Sequence, residues 1–242
     1  MTGRAHPTSR RERPAKPALS RAAVISTALD LLHAEGLDRV TMRRLATALD
    51  TGPASLYVYV RNTADLHAAV LDAVLGTLTT PTTGTWQDRV VALLTDYTRV
   101  LFTHPGLAKT ALVTRPDGPH YTDLLERLLA LLTGGGVDPG RAAWAVDLLL
   151  AHATATAAEH ADRDRAEQAA DLDRLRRTAA TLDPTTHPHL TALADDLVSG
   201  TGPQRLDWGL RVLLTGVAAT PRPDQHQEPP CTSPSSEPGS AG

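Results

Sequence analysis

The chain has 242 residues, enough for one large domain or two small ones. Hydrophobic residues make up 41% of it and charged residues 21%, so it can bury a sizeable core. Its single cysteine, Cys231, excludes an intrachain disulfide and a cysteine-based zinc or iron–sulfur site. No apolar run reaches the roughly 20 residues that a membrane helix needs. The basic N-terminus lacks the apolar stretch of a secretory signal, so we expect a cytoplasmic protein with no membrane partner.

The net charge of −3 is unevenly distributed along the chain. Residues 1–67 contain ten Lys or Arg against six acidic residues, a net charge of +4, whereas the remainder carries −7. A basic front end on an acidic body indicates that only the front end meets a polyanion. A basic flexible tail on an ordinary domain would give the same asymmetry.

Low-complexity segments bracket the chain. Residues 1–18 are basic and contain three prolines, and residues 221–242 are dominated by Pro, Ser and Gly. Neither segment can bury enough apolar surface to offset the entropy of ordering it, so we expect a flexible basic arm and a disordered tail. Between them the apolar periodicity is helical and no segment alternates like a strand, which predicts an all-α fold.

Two helices are predicted directly after the basic arm. One begins after Ser20, a suitable N-cap, and ends at Gly36. Its apolar face has the spacing i, i+3, i+4 and i+7: Ile25, Ala28, Leu29 and Leu32. Thr41 can cap the second helix, whose predicted buried face is Met42, Leu45, Ala46 and Leu49.

A third helix over 53–60 follows a tight turn, and a fourth starts at Asn62 and runs towards Pro81. Two short helices joined by a turn, with another helix packed in front, make a helix-turn-helix module. Leu56 and Val60 would anchor the third helix. The residues off that stripe are predicted to face a major groove beside Arg61: Pro53, Ala54, Ser55, Tyr57 and Tyr59. An ordinary helical hairpin with surface tyrosines would show the same spacing.

The remaining helices are predicted from breakers such as His104-Pro105 and Gly134–Gly136. We place them at about 85–103, 105–113, 120–133, 139–161, 164–181, 187–199 and 203–219, with ends uncertain by a few residues.

Three pieces within residues 19–75 carry a family resemblance: ALDLLHAEGLDRVTMRRLATAL, then LYVYV, then RNTADL. Their order, spacing and position near the N-terminus strongly resemble the DNA-binding domain of the TetR family of bacterial repressors. The resemblance implies a three-helix helix-turn-helix domain over 19–66. A helical-bundle core for ligand binding and dimerisation would follow over 67–220.

The resemblance also implies which residues contact DNA. Besides the third-helix residues it points to Thr41 and Arg43, and to the start of the fourth helix, where the family often has a lysine and this chain has Thr63. Arg61 and Asn62, which precede that position, complete the predicted set. The turn has Asp50-Thr51-Gly52 where the family favours Gly-Val-Ser, and Asp tolerates the left-handed geometry required. The arm residues Arg10, Arg11, Arg13 and Lys16 could add DNA contacts or simply be solvated.

The body resembles the tetracycline-repressor type of core, through WQDRVVALL and LDWGLRVLLTG among other segments. In such cores the helices at 139–161 and 203–219 form a four-helix dimer interface with their mates. The Ala-rich stretch 151–158 would permit close helix approach, although a helix buried inside one subunit would have the same composition.

Magnesium–tetracycline is not the expected ligand, because the family's pocket histidines fall on Thr79 and Ala111 and its asparagine on Leu93. We expect another small molecule, apolar or aromatic with few polar groups. Three candidate lining residues match the family: Thr114, Arg115 and Glu159. Six others are polar or aromatic and could equally be core: Trp86, Tyr97, Phe102, His104, Trp144 and His152.

No metal or cofactor is predicted. His152, Thr156 and His160 share a helix face near Glu159, but no second cluster of ligands is evident. An enzyme is not predicted either, because the sequence lacks a phosphate-binding loop and a recognisable nucleophile–base set. The predicted function is a ligand-responsive transcriptional repressor that binds palindromic operator DNA as a homodimer. An activator or a partner-regulated DNA-binding protein is the alternative.

Overall fold

A computed structural model describes residues 18–161 and 165–223, with the side chains of 160–168 left out. Most of the predicted basic arm and tail, Cys231 and the side chain of His160 lie outside the described residues. Every regular element in the described part is a helix, which confirms the all-α prediction. None of these helices is both long and apolar enough to cross a membrane.

From residue 18 onward, the N-terminal head forms four helices and one 3-10 turn. Their bounds are α1 (Arg21–Glu35), the turn Leu37–Arg39, α2 (Met42–Ala48), α3 (Pro53–Leu56) and α4 (Thr63–Leu75). The predicted caps form: the hydroxyl of Ser20 accepts from the amide of Ala23, and that of Thr41 accepts from the amide of Arg44.

Three details of the head differ from the sequence prediction. Leu49, predicted on the buried face of the second helix, is only half-buried. The buried face of α1 is Val24, Ala28, Leu31 and Leu32, whereas Ile25 and Leu29 are only half-buried. The face is rotated because α1 packs against both α2 and α4, and apolar residues flank the predicted stripe on both sides. The third helix ends at Leu56 rather than at 60, and the amides of Tyr59 and Val60 both donate to the carbonyl of Leu56 in a closing turn.

Between residues 76 and 223, the described part of the body forms eight helices. They are α5 (Trp86–Thr103), α6 (Pro105–Val113), α7 (Pro119–Gly134), α8 (Pro139–Ala161), α9 (Arg165–Ala180), α10 (Pro188–Ala192), α11 (Ala194–Leu197) and α12 (Gly202–Ala219). α5 and α8 pack along each other, and α6, α7 and α12 each pack against both of them. The predicted helix over 187–199 is two short helices, because the backbone at Leu193 leaves the helical region.

Helix α4 joins the head to the body. It packs against α1 on one side and against α6 and α7 on the other, so the buried apolar cluster is continuous across the two parts. The predicted domain boundary between 66 and 67 falls inside this helix. Asp72, which is buried on α4, accepts a 2.8 Å hydrogen bond from the amide of Tyr121 in the first turn of α7. A carboxylate is stabilised there because a helix N-terminus carries partial positive charge.

Gly118, the N-cap of α7, leaves no space for a side chain at this joint. A Cβ at Gly118 would lie 2.2 Å from the Asp72 carboxylate, which is short and held by its hydrogen bond. We therefore expect Gly118→Ala to lower the free energy of unfolding by about 1–3 kcal/mol, the usual cost of overpacking a buried contact.

Gly134→Ala, at the other end of α7, is the matched control, because a Cβ there meets nothing within 4 Å. This substitution should be neutral or stabilise the fold by up to about 1 kcal/mol through helix propensity. Urea unfolding of both variants, followed by circular dichroism, tests the difference. Equal effects of the two substitutions would contradict a tight α4–α7 joint.

Candidate nucleic-acid interface and ligand cavity

The turn between α2 and α3 sets the geometry of the helix-turn-helix. Asp50 has φ +47°, the only positive φ among the described residues other than glycine, as the sequence predicts for this turn. The amide of Thr51 donates to the carbonyl of Ala46 and closes the turn. Leu56 at the end of α3 and Val60 in the turn that closes it are fully buried, which confirms both as the anchors of this segment.

The side of α3 opposite its anchors faces solvent. Pro53, Ala54 and Ser55 are exposed, and 54% of Tyr57 is accessible. Val58 is more exposed still, at 80%, and was not among the predicted groove-facing residues. A short helix with small residues at its N-terminus and an exposed aromatic ring can approach a groove floor closely.

Tyr59 differs from the other predicted groove-facing residues. It is half-buried, and its hydroxyl donates a 2.6 Å hydrogen bond to the carbonyl of Leu19, just before α1. Its side chain therefore fixes the start of α1 against the end of α3. The two residues are forty positions apart, so spacing along the sequence could not have found this contact.

The cations of the head fall into two groups. Arg44 is paired with Glu35, whereas the neighbouring Arg43 is exposed and forms no ion pair with any described residue. The hydroxyl of Thr41 is engaged as the cap of α2. Arg43 is thus the cation of this helix that is available to a phosphate or a base edge.

The N-terminus of α4 is closed by its own residues. The side chain of Asn62 accepts from the amide of Asp65, and the Asp65 carboxylate accepts from the backbone amide and the guanidinium of Arg61, at 2.8 and 3.0 Å. Both hydrogen bonds from Arg61 lower the pKa of Asp65, and the one from the guanidinium has the larger effect. Thr63 is exposed in the first turn. Asn62 and Arg61 are therefore partly engaged in capping.

A cavity of about 680 Å³ lies between α4, α6, α7 and α8, and Tyr97 of α5 also lines it. Most of its wall is apolar: Leu71, Leu75, Ala111, Leu112, Val113, Pro116, Leu125, Leu129, Ala143, Val146, Leu150, Ala151 and Ala155. The polar groups are few: Tyr97, Thr114, Arg115, Tyr121, Asp147 and Thr154. Burial raises the pKa of Tyr97 to about 12, and burial also raises the pKa of Tyr121.

Three of the nine predicted ligand-contacting residues line this cavity, namely Tyr97, Thr114 and Arg115. Arg115 forms an ion pair with Asp147 of α8. Tyr121 and Thr154 were missed, since Tyr121 follows a loop with no periodic signal and Thr154 lies in the Ala-rich stretch that suggested helix packing.

The structure does not bring the other six to this cavity, because they lie on helix faces turned elsewhere. Trp86 packs over Gly135, and His104 lies beside His33 with 5.5 Å between ring centres. His152 points at Gly209 of α12. Three are exposed: Phe102, Trp144 and Glu159. Among the described side chains no three metal-ligating groups cluster. The side chain of His160, which the sequence suggested as a metal ligand, lies outside the described residues.

An apolar face on α8 and α12 is open to solvent. Trp144 and Leu148 of α8 are 54% and 47% exposed, and Trp208 and Val212 of α12 are 69% and 47% exposed. Three of the four also line a groove of about 510 Å³, where the Arg222 guanidinium lies 5.3 Å from the Trp144 ring centre. Large apolar side chains grouped on a surface are typical of a protein–protein contact.

Comparison with known proteins places the chain in a family. Residues 24–70 match the family described as bacterial regulatory proteins, tetR family. Residues 78–220 match the tetracyclin repressor-like C-terminal domain. The HTH-type transcriptional repressor DrrR1 of Streptomyces coeruleorubidus is 27% identical, over 86% of this chain and 83% of that protein. For several other curated regulators the match spans only 52–56% of their length.

Solved structures agree with these matches. The transcription regulator SCO7704 of Streptomyces coelicolor is 50% identical, with a TM-score of 0.72, over 86% of this chain and 98% of that one. ActR, a TetR family protein of Streptomyces coelicolor in complex with actinorhodin, is 36% identical, with a TM-score of 0.74, over 83% and 96%. The chain belongs to the TetR family of bacterial transcription regulators and has a tetracycline-repressor-like C-terminal core.

The capping of α4 generates a pH prediction. Because the pKa of Asp65 is lower in the folded head than in the unfolded chain, its carboxylate stabilises the fold above the ordinary pKa of 3.8. This stabilisation is lost as the pH falls through the folded-state pKa. We expect Asp65→Asn to lower the free energy of unfolding by about 0.5–1 kcal/mol at pH 7, since the ion pair is partly exposed.

The difference between wild type and Asp65→Asn should be constant near neutral pH and shrink once the pH falls to about 3.8 and below, as measured by urea unfolding from pH 7 down to about pH 2.5. Asp96→Asn, which removes an exposed ion pair with Arg99 from α5, is the control and should have a smaller effect. A difference for Asp65→Asn that is independent of pH would show that the carboxylate charge has no part in capping α4.

Proposed function

We propose that this TetR-family protein is a transcriptional repressor that binds a palindromic operator as a homodimer and releases it when a small molecule occupies the body. The observation that carries the proposal is the head: α3 is anchored by buried Leu56 and Val60 and presents its opposite side to solvent. Bacterial operators lie in the cytoplasm, so the proposed action is cytoplasmic.

The proposed DNA-contacting residues fall into two groups, according to whether the side chain already forms a hydrogen bond within the head. Arg43 and Tyr57 are exposed and would contact phosphate or base edges, with Ser55 and the small residues before it at the groove floor. Thr63 would approach the backbone from the start of α4. Thr41, Tyr59 and Asn62 use their side chains within the head, and we assign them the role of holding this surface in place. Arg61 would have to exchange Asp65 for a phosphate.

The proposed homodimer uses the exposed apolar face of α8 and α12. Trp144 and Leu148 lie on one helix and Trp208 and Val212 on the other, and the two helices pack together. A twofold axis through this face would bury the same residues of both copies against each other. Two such heads would enter successive major grooves, about 34–36 Å apart.

The proposed ligand response depends on residues of α4 and of the loop before α7 that line the cavity. Leu71 and Leu75 on α4 form part of that wall, and so do Arg115 and Pro116 in the loop that leads to Gly118. Gly118 in turn lies against Asp72 of α4. A ligand that binds better to a conformer with a shifted loop would move α4 and the head with it, so operator affinity would fall by linkage. The complex of ActR with actinorhodin supports a ligand-binding body in this family.

We expect Arg43→Ala and Tyr57→Ala each to weaken binding to an operator duplex by about 10- to 100-fold, as loss of a base or phosphate contact costs about 1–3 kcal/mol. The duplex is the one that the protein selects from random sequence, and mobility shift at fixed salt gives Kd. Arg99→Ala removes one positive charge from the body and is the matched control. Unchanged Kd for both head variants would contradict the assignment of α3 and α2.

We expect Trp144→Glu and Val212→Glu each to raise the dimer dissociation constant by roughly 100-fold or more, because a charge would be buried twice at the twofold axis. Analytical ultracentrifugation measures it. Thr95→Glu, an exposed position on α5, is the control for added charge and should leave the dimer intact. A dimer unaffected by both substitutions would place the interface elsewhere.

A further inference from the structure

Two buried hydroxyl groups form a hydrogen-bonded pair in the cavity, and Tyr121 supplies the other phenol of its wall. Tyr97 of α5 and Thr154 of α8 are 3% and 5% exposed, and their oxygens are 2.7 Å apart. Both residues line the cavity, and their neighbours on its wall include Leu150 and Ala155. The charged Arg115 and Asp147 pair with each other and are mostly exposed, so their charges lie towards the solvent side.

One of the two O–H donors of the pair has no acceptor within the pair. Each hydroxyl carries one O–H donor, and a single hydrogen bond joins the two groups. Neither makes another hydrogen bond to any described residue. Threonines in helices often donate to the carbonyl four residues earlier, as Thr98 does to Leu94 at 2.9 Å, but Thr154 does not. Since burial raises the pKa of Tyr97 to about 12, its hydroxyl remains protonated at neutral pH.

A donor in an apolar wall favours a ligand that carries an acceptor. Leaving a buried donor unpaired is unfavourable, and a ligand oxygen placed against the pair would satisfy it. An anion is not required, because the pair offers a neutral hydrogen bond and Arg115 is already engaged with Asp147. The apolar remainder of the cavity suits fused rings.

We propose that the Tyr97–Thr154 pair donates its free hydrogen bond to a neutral carbonyl oxygen of a largely apolar, ring-containing effector. This inference rests on the proposed function, because it concerns the ligand of the same cavity. The pair thereby distinguishes carbonyl-bearing ring compounds from hydrocarbons of the same shape.

The test compares 9-fluorenone with fluorene, which have the same three-ring frame and differ by one carbonyl group. Calorimetric titration of the full-length protein gives Kd for each, and the quantity of interest is their ratio. Tyr97→Phe/Thr154→Val removes both hydroxyls, and the preference for 9-fluorenone should fall by roughly five- to tenfold. Either single substitution leaves one O–H donor and should cause a smaller fall.

Thr98→Val is the matched control, because it removes a buried hydroxyl one residue away whose proton is already used. It should leave the ratio unchanged. A second measurement needs no variant: the infrared carbonyl stretch of 9-fluorenone bound to wild type should lie below its frequency in an apolar solvent.

The outcomes separate the two claims. If both probes bind but the ratio is the same in wild type and in the double variant, or the bound carbonyl stretch is unshifted, the hydrogen-bond proposal is overturned and the ligand cavity stands. If neither probe binds the wild type, ligand binding in this cavity, and with it that part of the proposed function, is contradicted.

Discussion

The buried hydrogen bond between Asp72 and the first turn of α7 joins the head to the ligand cavity. Helix α4 completes the head at its N-terminal end, and farther along it forms part of the cavity wall. A carboxylate that is buried must keep its partners, because an unpaired buried charge is far more costly than the hydrogen bond itself is worth. The joint therefore favours coordinated movement of α4 and α7 over independent movement. The proposed release of the operator requires that property.

The electrostatics of the head explain why net charge alone says little about DNA contact. Residues 18–67 contain five arginines and five acidic residues, so this part of the head has no net charge, and Glu35 and Asp65 each pair with one of those arginines. Arg43 carries no such partner among the described residues and stands next to the exposed side of α3. A head arranged in this way would attract a polyanion weakly at a distance and depend on close contacts for affinity. We regard this balance as a source of discrimination against non-specific DNA.

Local signals in the sequence predicted the caps, the turn and the anchors of the head, but not the buried face of α1 or the end of α3. The caps at Ser20 and Thr41, the left-handed turn at Asp50 and the anchors Leu56 and Val60 depend on residues within a few positions of one another, and all were predicted. Contacts between distant residues were not predicted. The Tyr59 hydroxyl meets Leu19, and Tyr97 meets Thr154, across 40 and 57 positions.

The same limit explains why most of the residues that line the cavity were not predicted. Polar or aromatic character and family matching selected nine ligand-contacting candidates. The helix faces that line the cavity depend on how α4 to α8 pack together, and the sequence of a single helix does not determine that packing. Trp86 and His152 face Gly135 and Gly209, where the absence of a side chain makes room for a ring. Complementarity of this kind between a ring and a distant glycine has no signature in one sequence.

The most direct test of the account is selection of duplexes from a random-sequence pool by the purified full-length protein at fixed salt. A dimer with two symmetric heads should enrich a palindrome whose half-sites are about one helical turn apart, or about 10 base pairs. Binding that depends on salt but enriches no motif would contradict the account, because the head would then contact only the phosphate backbone.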